Sequence, residues 1–133
     1  MKYLLDTNIC IYIIKKKPES VIKRFKTLRP GSLAISTITV AELYYGAVKS
    51  LRPDENMIAL QEFISPLEVL DFSTEDALVY GKIRTALERK GKIIGAMDLL
   101  IAAIAKSREL ILITNNIKEF ARVPELVIEN WAE

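Results

Sequence analysis

The chain contains no histidine and a single cysteine. Without histidine there is no Ser-His-Asp triad, no Cys-His nucleophile and no imidazole general base. One cysteine, Cys10, allows no intramolecular disulfide and no thiolate zinc cage. It lies in the apolar run Ile9-Cys10-Ile11-Tyr12-Ile13-Ile14 and reads as a core residue. These absences point to a reduced, cytoplasmic protein. Nor is there an apolar run near the 18 or so residues that a membrane span requires, so no membrane partner is expected. The stretch from Lys2 to Ile14 faintly mimics an export signal. Asp6 and Asn8 interrupt it, and Lys15-Lys16-Lys17 stands where small cleavage-site residues belong. Repeats, linkers and low-complexity segments are also missing.

What is present fits one domain over residues 1–133. Half of the residues are hydrophobic, and a chain of this size buries roughly two thirds of its unfolded surface. The net charge is only +2, but 19 Lys and Arg are unevenly spread. One basic stretch runs from Lys15-Lys16-Lys17 to Arg29, and another from Lys82 to Lys92. Basic faces of this kind suit a polyanionic substrate, although lysines on solvated helix faces look the same.

Short apolar runs alternate with longer helical patterns. Strands are expected at Tyr3–Leu5, Leu33–Ser36, Leu67–Leu70, Leu110–Ile113 and Leu126–Ile128. Helices are expected at Asn8–Lys16, Glu19–Leu28, Thr39–Lys49, Pro53–Phe63, Ser73 to about Arg89, and Met97–Ser107, with one further turn at Ile117–Ala121. The helix at Thr39 opens on a capping-box pattern, Thr39-Val40-Ala41-Glu42. Trp131 should pack against the body. Unalternating apolar strands between helices predict an α/β fold of three layers, α/β/α, with a central, mostly parallel sheet of about five strands.

Four acids stand at the edges of these hydrophobic elements. Asp6 follows Tyr3-Leu4-Leu5. Glu42 follows Ile38-Thr39-Val40-Ala41. Asp98 opens the run from Leu99 to Ala105, and Glu119 lies just past Leu110-Ile111-Leu112-Ile113-Thr114. Each has an ordinary explanation: Asp6 and Asp98 could cap helices, Glu42 could be the capping-box partner of Thr39, and Glu119 could be a surface acid. Carboxylates are rarely buried unless paired or bound to metal. In an open α/β sheet, sites form outside the carboxyl ends of the strands. Asp6, Glu42 and Thr114 fall there directly. Asp98 does so only if its helix starts at that edge. Hard oxygen ligands without His or Cys favour Mg²⁺, with Mn²⁺ as a substitute. Such ions can activate water and stabilise a leaving oxygen in phosphodiester hydrolysis.

These residues resemble those of PIN-domain ribonucleases of the VapC type, the toxins of bacterial toxin–antitoxin operons. The resemblance covers essentially the whole chain. It rests on Leu5-Asp6-Thr7-Asn8, on Ser36-Thr37-Ile38-Thr39-Val40-Ala41-Glu42-Leu43, on Ile94-Gly95-Ala96-Met97-Asp98-Leu99-Leu100-Ile101-Ala102-Ala103, and on Thr114-Asn115-Asn116-Ile117-Lys118-Glu119-Phe120. It implies an endoribonuclease dependent on Mg²⁺ or Mn²⁺. Asp6, Glu42 and Asp98 match the family's principal metal-binding acids, and Asn8 and Thr114 match polar supporting positions. Asn116 stands where some members carry Asp. Glu119 replaces an Asp often found three residues later, as a fourth catalytic acid. Ile104 stands where relatives often have His. The resemblance also implies structured RNA, often tRNA, as substrate, a cognate VapB-type antitoxin, and a homodimer that assembles further with it. Tyr44 and Tyr45, beside Glu42, are candidates for RNA contact or for packing.

Two other readings remain. A phosphorelay receiver would use Asp71 as phosphoacceptor with Asp6 and Thr114 assisting. A degenerate nuclease fold would bind RNA or antitoxin without cutting. For the latter, the intact Asp6, Glu42 and Asp98 are an obstacle.

Overall fold

The computed structural model describes residues 2–132. Its centre is a sheet of five strands: β1 (Tyr3–Leu5), β2 (Leu33–Ser36), β3 (Glu68–Leu70), β4 (Ile111–Ile113) and β5 (Ile128–Glu129), in the order β3-β2-β1-β4-β5. Every pairing is parallel, so the sheet is wholly and not mostly parallel. β1 lies in the middle, with Leu4 opposite Ala34 on one side and Leu112 on the other.

Side chains alternate across a strand, and this alternation divides the core. Leu4, Ala34 and Leu112 join one cluster with Ile83, Ile101 and Ile104. Leu5, Leu33, Ile35 and Ile113 join another with Ile9, Leu43 and Leu60. The first cluster lies under α5 (Thr74–Arg89) and α6 (Ala96–Ser107). The second lies under α1 (Thr7–Lys15), α2 (Glu19–Lys26), α3 (Thr37–Val48) and α4 (Pro53–Ile64). Both faces of the sheet are covered, as the unalternating strands require. Cys10 and Trp131 are buried in the second cluster. Trp131 donates from Nε1 to Glu129 at 2.9 Å, which fastens the chain end to β5.

Three boundaries differ from expectation in ways that bear on the site. β5 begins two residues later than the apolar run Leu126–Ile128 and ends one residue later. α1 begins at Thr7, because Asp6 is its cap. α3 begins at Thr37 rather than Thr39: Ser36 has an extended backbone, and its hydroxyl accepts from the Thr39 N–H. The Thr39–Glu42 capping box therefore does not form. Glu42 is the sixth residue of α3, in its second turn, and its carboxylate is not spent on the helix end. A capping box does exist at α5, between Ser73 and Asp76.

α5 and α6 pack as an antiparallel pair. Arg108, just past α6, donates to Asp76 in the first turn of α5 (3.0 Å) and to the Asp71 carbonyl. The start of α6 is consequently at the far end of the pair. That arrangement answers how Asp98 can reach the strand edge from a helix that precedes β4.

Candidate active site

Asp6 immediately follows β1, where the chain turns from strand into α1. Its Oδ1 accepts the Ile9 N–H at 2.9 Å, so the carboxylate caps the helix while it faces the edge of the sheet. It is 4% exposed. Burial raises its pKa to about 6. Hydrogen bonds from the Thr114 hydroxyl and the Ile9 N–H oppose the shift, and the charge of Glu42 adds to it. Capping therefore leaves this carboxylate at the edge of the sheet.

Glu42 is held by hydroxyls. Thr7 Oγ1 donates to Glu42 Oε1 at 2.6 Å, and Thr39 Oγ1 stands 3.2 Å from Thr7 Oγ1. Ser36 Oγ lies 3.4 Å from Thr39 Oγ1 and accepts the Thr39 N–H at 3.1 Å. Each hydroxyl has one proton to donate and two lone pairs to accept with. The arrangement that satisfies all three runs from Ser36 to Thr39 to Thr7 and ends on the carboxylate. Ser36 and Thr39 are fully buried. Sequence reasoning passed over this chain of hydroxyls. Part of the signal was present: Thr7 adjoins Asp6, and Thr39 stands three positions before Glu42.

Asp98 is in the first turn of α6, half-buried. Its helix is capped by Gly95 without a side-chain hydrogen bond, so Asp98 is not a cap. The Gly95 N–H donates to Glu119 Oε1 at 2.8 Å, and Asn116 Nδ2 donates to Glu119 Oε2 at 2.8 Å. Glu119 therefore ties the start of α6 to α7 (Ile117–Phe120) and the loop after β4. A methyl group placed on Gly95 would lie 3.5 Å from Glu119 Oε1 and 3.7 Å from Asp98 Oδ2, so both carboxylates stand over this glycine. Burial, the hydrogen bond to Glu119 and the charges of Glu119, Asp6 and Glu42 raise Asp98 to about 7. Glu119 moves the other way. Burial pushes it up, but the Gly95 N–H, the Asn116 amide, Asp98 and Arg122 together hold it below its usual value. Of the two, Asp98 is the carboxyl that the crowding pushes towards its protonated form.

All four expected acids thus meet at the carboxyl edge of the sheet, with Thr114 and Asn116 between them. Thr114 Oγ1 accepts the Asn116 N–H at 2.9 Å, leaving its proton for Asp6. Asn8 lies on the first turn of α1, exposed, and its side chain makes no hydrogen bond among the described residues. Tyr44 and Tyr45 are both exposed rather than packed inside, Tyr45 the more so. Asp71 follows the edge strand β3, and β2 separates that strand from β1. It stands apart from Asp6 and Thr114, contrary to what a receiver needs.

The donor set fits a hard divalent cation. It offers carboxylate oxygens, with no imidazole, and the one thiol is buried in the core. Two of the carboxyls hold protons well above their usual range, through burial and the like charges that crowd them. Among the described residues, no three acids already stand close enough to enclose an ion together. An ion held here would reach some of these carboxylates through its own waters, which Mg²⁺ gives up reluctantly.

A parallel sheet of this order, with acids gathered at its carboxyl edge, is the architecture of a PIN-type α/β nuclease fold. The chain belongs to the PIN-domain family, whose model matches residues 3–126. Within that family it falls among the VapC ribonucleases. It is 49% identical over 132 residues to ribonuclease VapC2 of Rickettsia felis, covering 98% of each chain. It is 49% identical over 131 residues to the tRNA(fMet)-specific endonuclease VapC of Salmonella typhimurium, again covering 98% of each. The solved structure of VapBC2 from Rickettsia felis bound to a DNA fragment from their promoter contains a chain that superposes with a TM-score of 0.92 at 48% identity, covering 98% of this chain and 99% of that one. PIN-domain ribonucleases are in general dependent on divalent metal ions.

Proposed function

We propose that this chain is the toxin of a type II toxin–antitoxin pair, an endoribonuclease that cuts tRNA and so arrests translation. The observation that carries this reading is the meeting of Asp6, Glu42 and Asp98 at one sheet edge, under charge crowding that a cation would relieve. The tRNA(fMet) specificity of the Salmonella relative supports that tRNA as the substrate. The Rickettsia VapBC2 complex on its promoter fragment supports a VapB-type antitoxin partner, with promoter DNA as a ligand of the complex. A homodimer within that complex, a cytoplasmic setting and a single nuclease domain over residues 1–133 complete the proposal. No helix among the described residues is long and apolar enough to cross a membrane.

Asp6, Glu42 and Asp98 would hold Mg²⁺, or Mn²⁺ in its place. The bound ion would polarise the scissile phosphate and lower the pKa of an attacking water. The protein's part is orientation. Asp6 is fixed by hydrogen bonds from the Ile9 N–H and the Thr114 hydroxyl. Glu42 is fixed through Oε1 by Thr7, which leaves Oε2 for the site. Both oxygens of Glu119 are engaged by Gly95 and Asn116, so it serves the site through the placement of α6 and as proton partner of Asp98. Thr114 and Asn116 support the acids, and Asn8 is placed to meet the substrate at the open side of α1.

The test is cleavage of total bacterial RNA by the purified protein with Mg²⁺ or Mn²⁺, beside EDTA and Asp6→Ala controls. One discrete, metal-dependent fragment lost in the variant is the expected result. A folded protein that cuts no RNA would sink this reading in favour of a binding module.

A further inference from the structure

α1 connects the site to a basic corner. Asp6 caps its first turn and Lys15 occupies its last, nine residues on. At 1.5 Å per residue, that places the lysine about 14 Å from the acid along the helix axis. Lys16 then adopts the left-handed conformation, at φ 59°, which is uncommon for a residue with a side chain. The turn ends the helix and spreads Lys15, Lys16 and Lys17 instead of stacking them on one face. All three are exposed. None has a carboxylate within 4 Å among the described residues, whereas the neighbouring Lys23 and Arg24 pair with Glu19 and Glu129.

Lys15 borders two surface hollows. One also includes Glu42, and the other Lys17 and Tyr12. Tyr12 is locked to the site loop, since Asn115 Nδ2 donates to its hydroxyl at 2.6 Å and Asn115 follows Thr114. A continuous surface therefore leads from Glu42, past Lys15, to Lys17. Exposed cations with no ion pair among the described residues, beside a carboxylate site, suit a strand of phosphates.

We propose that Lys15 and Lys17 form a phosphate-binding track that holds the RNA strand flanking the cleaved bond. This rests on the ribonuclease reading above and adds where the substrate lies. The track positions and carries no sequence information, so base choice is made elsewhere.

The test is fluorescence anisotropy with labelled initiator tRNA in EDTA, where nothing is cut, over a series of salt concentrations. Lys15→Gln/Lys17→Gln is compared with the unaltered protein and with Lys106→Gln in the last turn of α6. The double variant should bind about five- to tenfold more weakly near 100 mM salt. Its log–log salt slope should be shallower by about 1.4, or roughly 0.7 for each single-strand phosphate no longer neutralised. Lys106→Gln should match the unaltered protein. With Mn²⁺ present, the double variant should raise KM by a similar factor and leave kcat within about twofold. Unchanged affinity and slope overturn the proposal and leave the corner to a protein partner. A fall in kcat at constant KM overturns it as well. Failure of the unaltered protein to cut any RNA would count against the ribonuclease reading alone, because the binding series is independent of cleavage.

Discussion

The two halves of the candidate site are built differently. Asp6 and Glu42 stand at the end of β1 and in the second turn of α3, in a wall of buried hydroxyls from Ser36, Thr39 and Thr114. Asp98 and Glu119 stand on a helix start and a four-residue helix, tied by an amide side chain and one backbone N–H. The first half is set by the sheet, whose strands cannot shift without repacking the core. The second half depends on two hydrogen bonds to a single carboxylate. One half is anchored in the sheet, while the other is joined through the hydrogen bonds of one carboxylate. The same demand, several acids near one point, is met by buried structure on one side and by a latch on the other.

If both halves serve one reaction, removing either acid should be nearly total in effect. Asp6→Ala and Asp98→Ala should each lower kcat/KM for RNA cleavage by at least a hundredfold, about 3 kcal/mol or more. A variant on one side that keeps a tenth of the activity would break the comparison, because the site would then lie in the other half alone. Circular dichroism should show both variants folded, since each removes a crowded charge and leaves the apolar core intact.

The sheet half should also dominate the pH dependence of stability without metal. Asp6 holds its proton to about pH 6 in the folded chain, against an ordinary value of 3.8. The folded state therefore binds more protons between those limits. Stability is full below about pH 4 and falls as pH rises through 6, by on the order of 3 kcal/mol. Asp98 extends the same trend towards pH 7, discounted because it is half-exposed. Glu119, held low, works in the opposite direction on a smaller scale. Urea unfolding in EDTA at pH 5 and 7.5 measures the fall, and Mn²⁺ should reverse it. A metal-free protein more stable at pH 7.5 than at pH 5 would contradict the crowding on which the metal reading stands.

Sequence patterning recovered the five strands, the covered sheet and the gathering of the four acids, because buried parallel strands and out-of-place carboxylates both leave marks in a linear chain. It misplaced the start of α3. Thr39 and Glu42 have capping-box spacing, and only the extended backbone of Ser36 shows that Ser36 caps first. It could not decide whether Asp98 reaches the edge, since that depends on the α5–α6 reversal and on a hydrogen bond between Gly95 and Glu119, 24 residues apart. The hydroxyls beside Asp6 and Glu42 were in view, but their joining was not: Thr7 and Glu42 are 35 residues apart and meet because β1 and β2 are neighbours.

The latch half can be tested by separating charge from hydrogen bonding. Glu119→Ala frees the Gly95 N–H and the Asn116 amide and should cost about thirtyfold in kcat/KM, roughly 2 kcal/mol. Glu119→Gln can still accept from Gly95, and Asn116 can turn its amide to match. It should stay within about fivefold of the unaltered protein, and calorimetric Mn²⁺ affinity should follow the same order. If Gln is as damaging as Ala, Glu119 acts as a direct ligand, and the two halves are less different than their construction suggests.

The smallest effect should come from the hydroxyl wall, where redundancy softens the removal of any one group. Thr7→Val keeps the shape and the helix start but removes the donor to Glu42 Oε1. Glu42 then turns more freely, and Thr39 loses the acceptor for its proton. Loss of one charge-assisted hydrogen bond at a partly buried site is worth about 1.5 kcal/mol, or about tenfold in the Mn²⁺ concentration for half-maximal cleavage. Maximal kcat at saturating metal should fall much less, because Glu42 itself remains. Thr7→Ser restores the donor and should restore the metal requirement, even if the missing methyl group lowers stability slightly. That rescue distinguishes orientation of Glu42 from packing. A Ser variant as impaired as Val would make Thr7 a packing residue only, and the rigidity assigned to this half would then rest on the strands rather than on the hydroxyls.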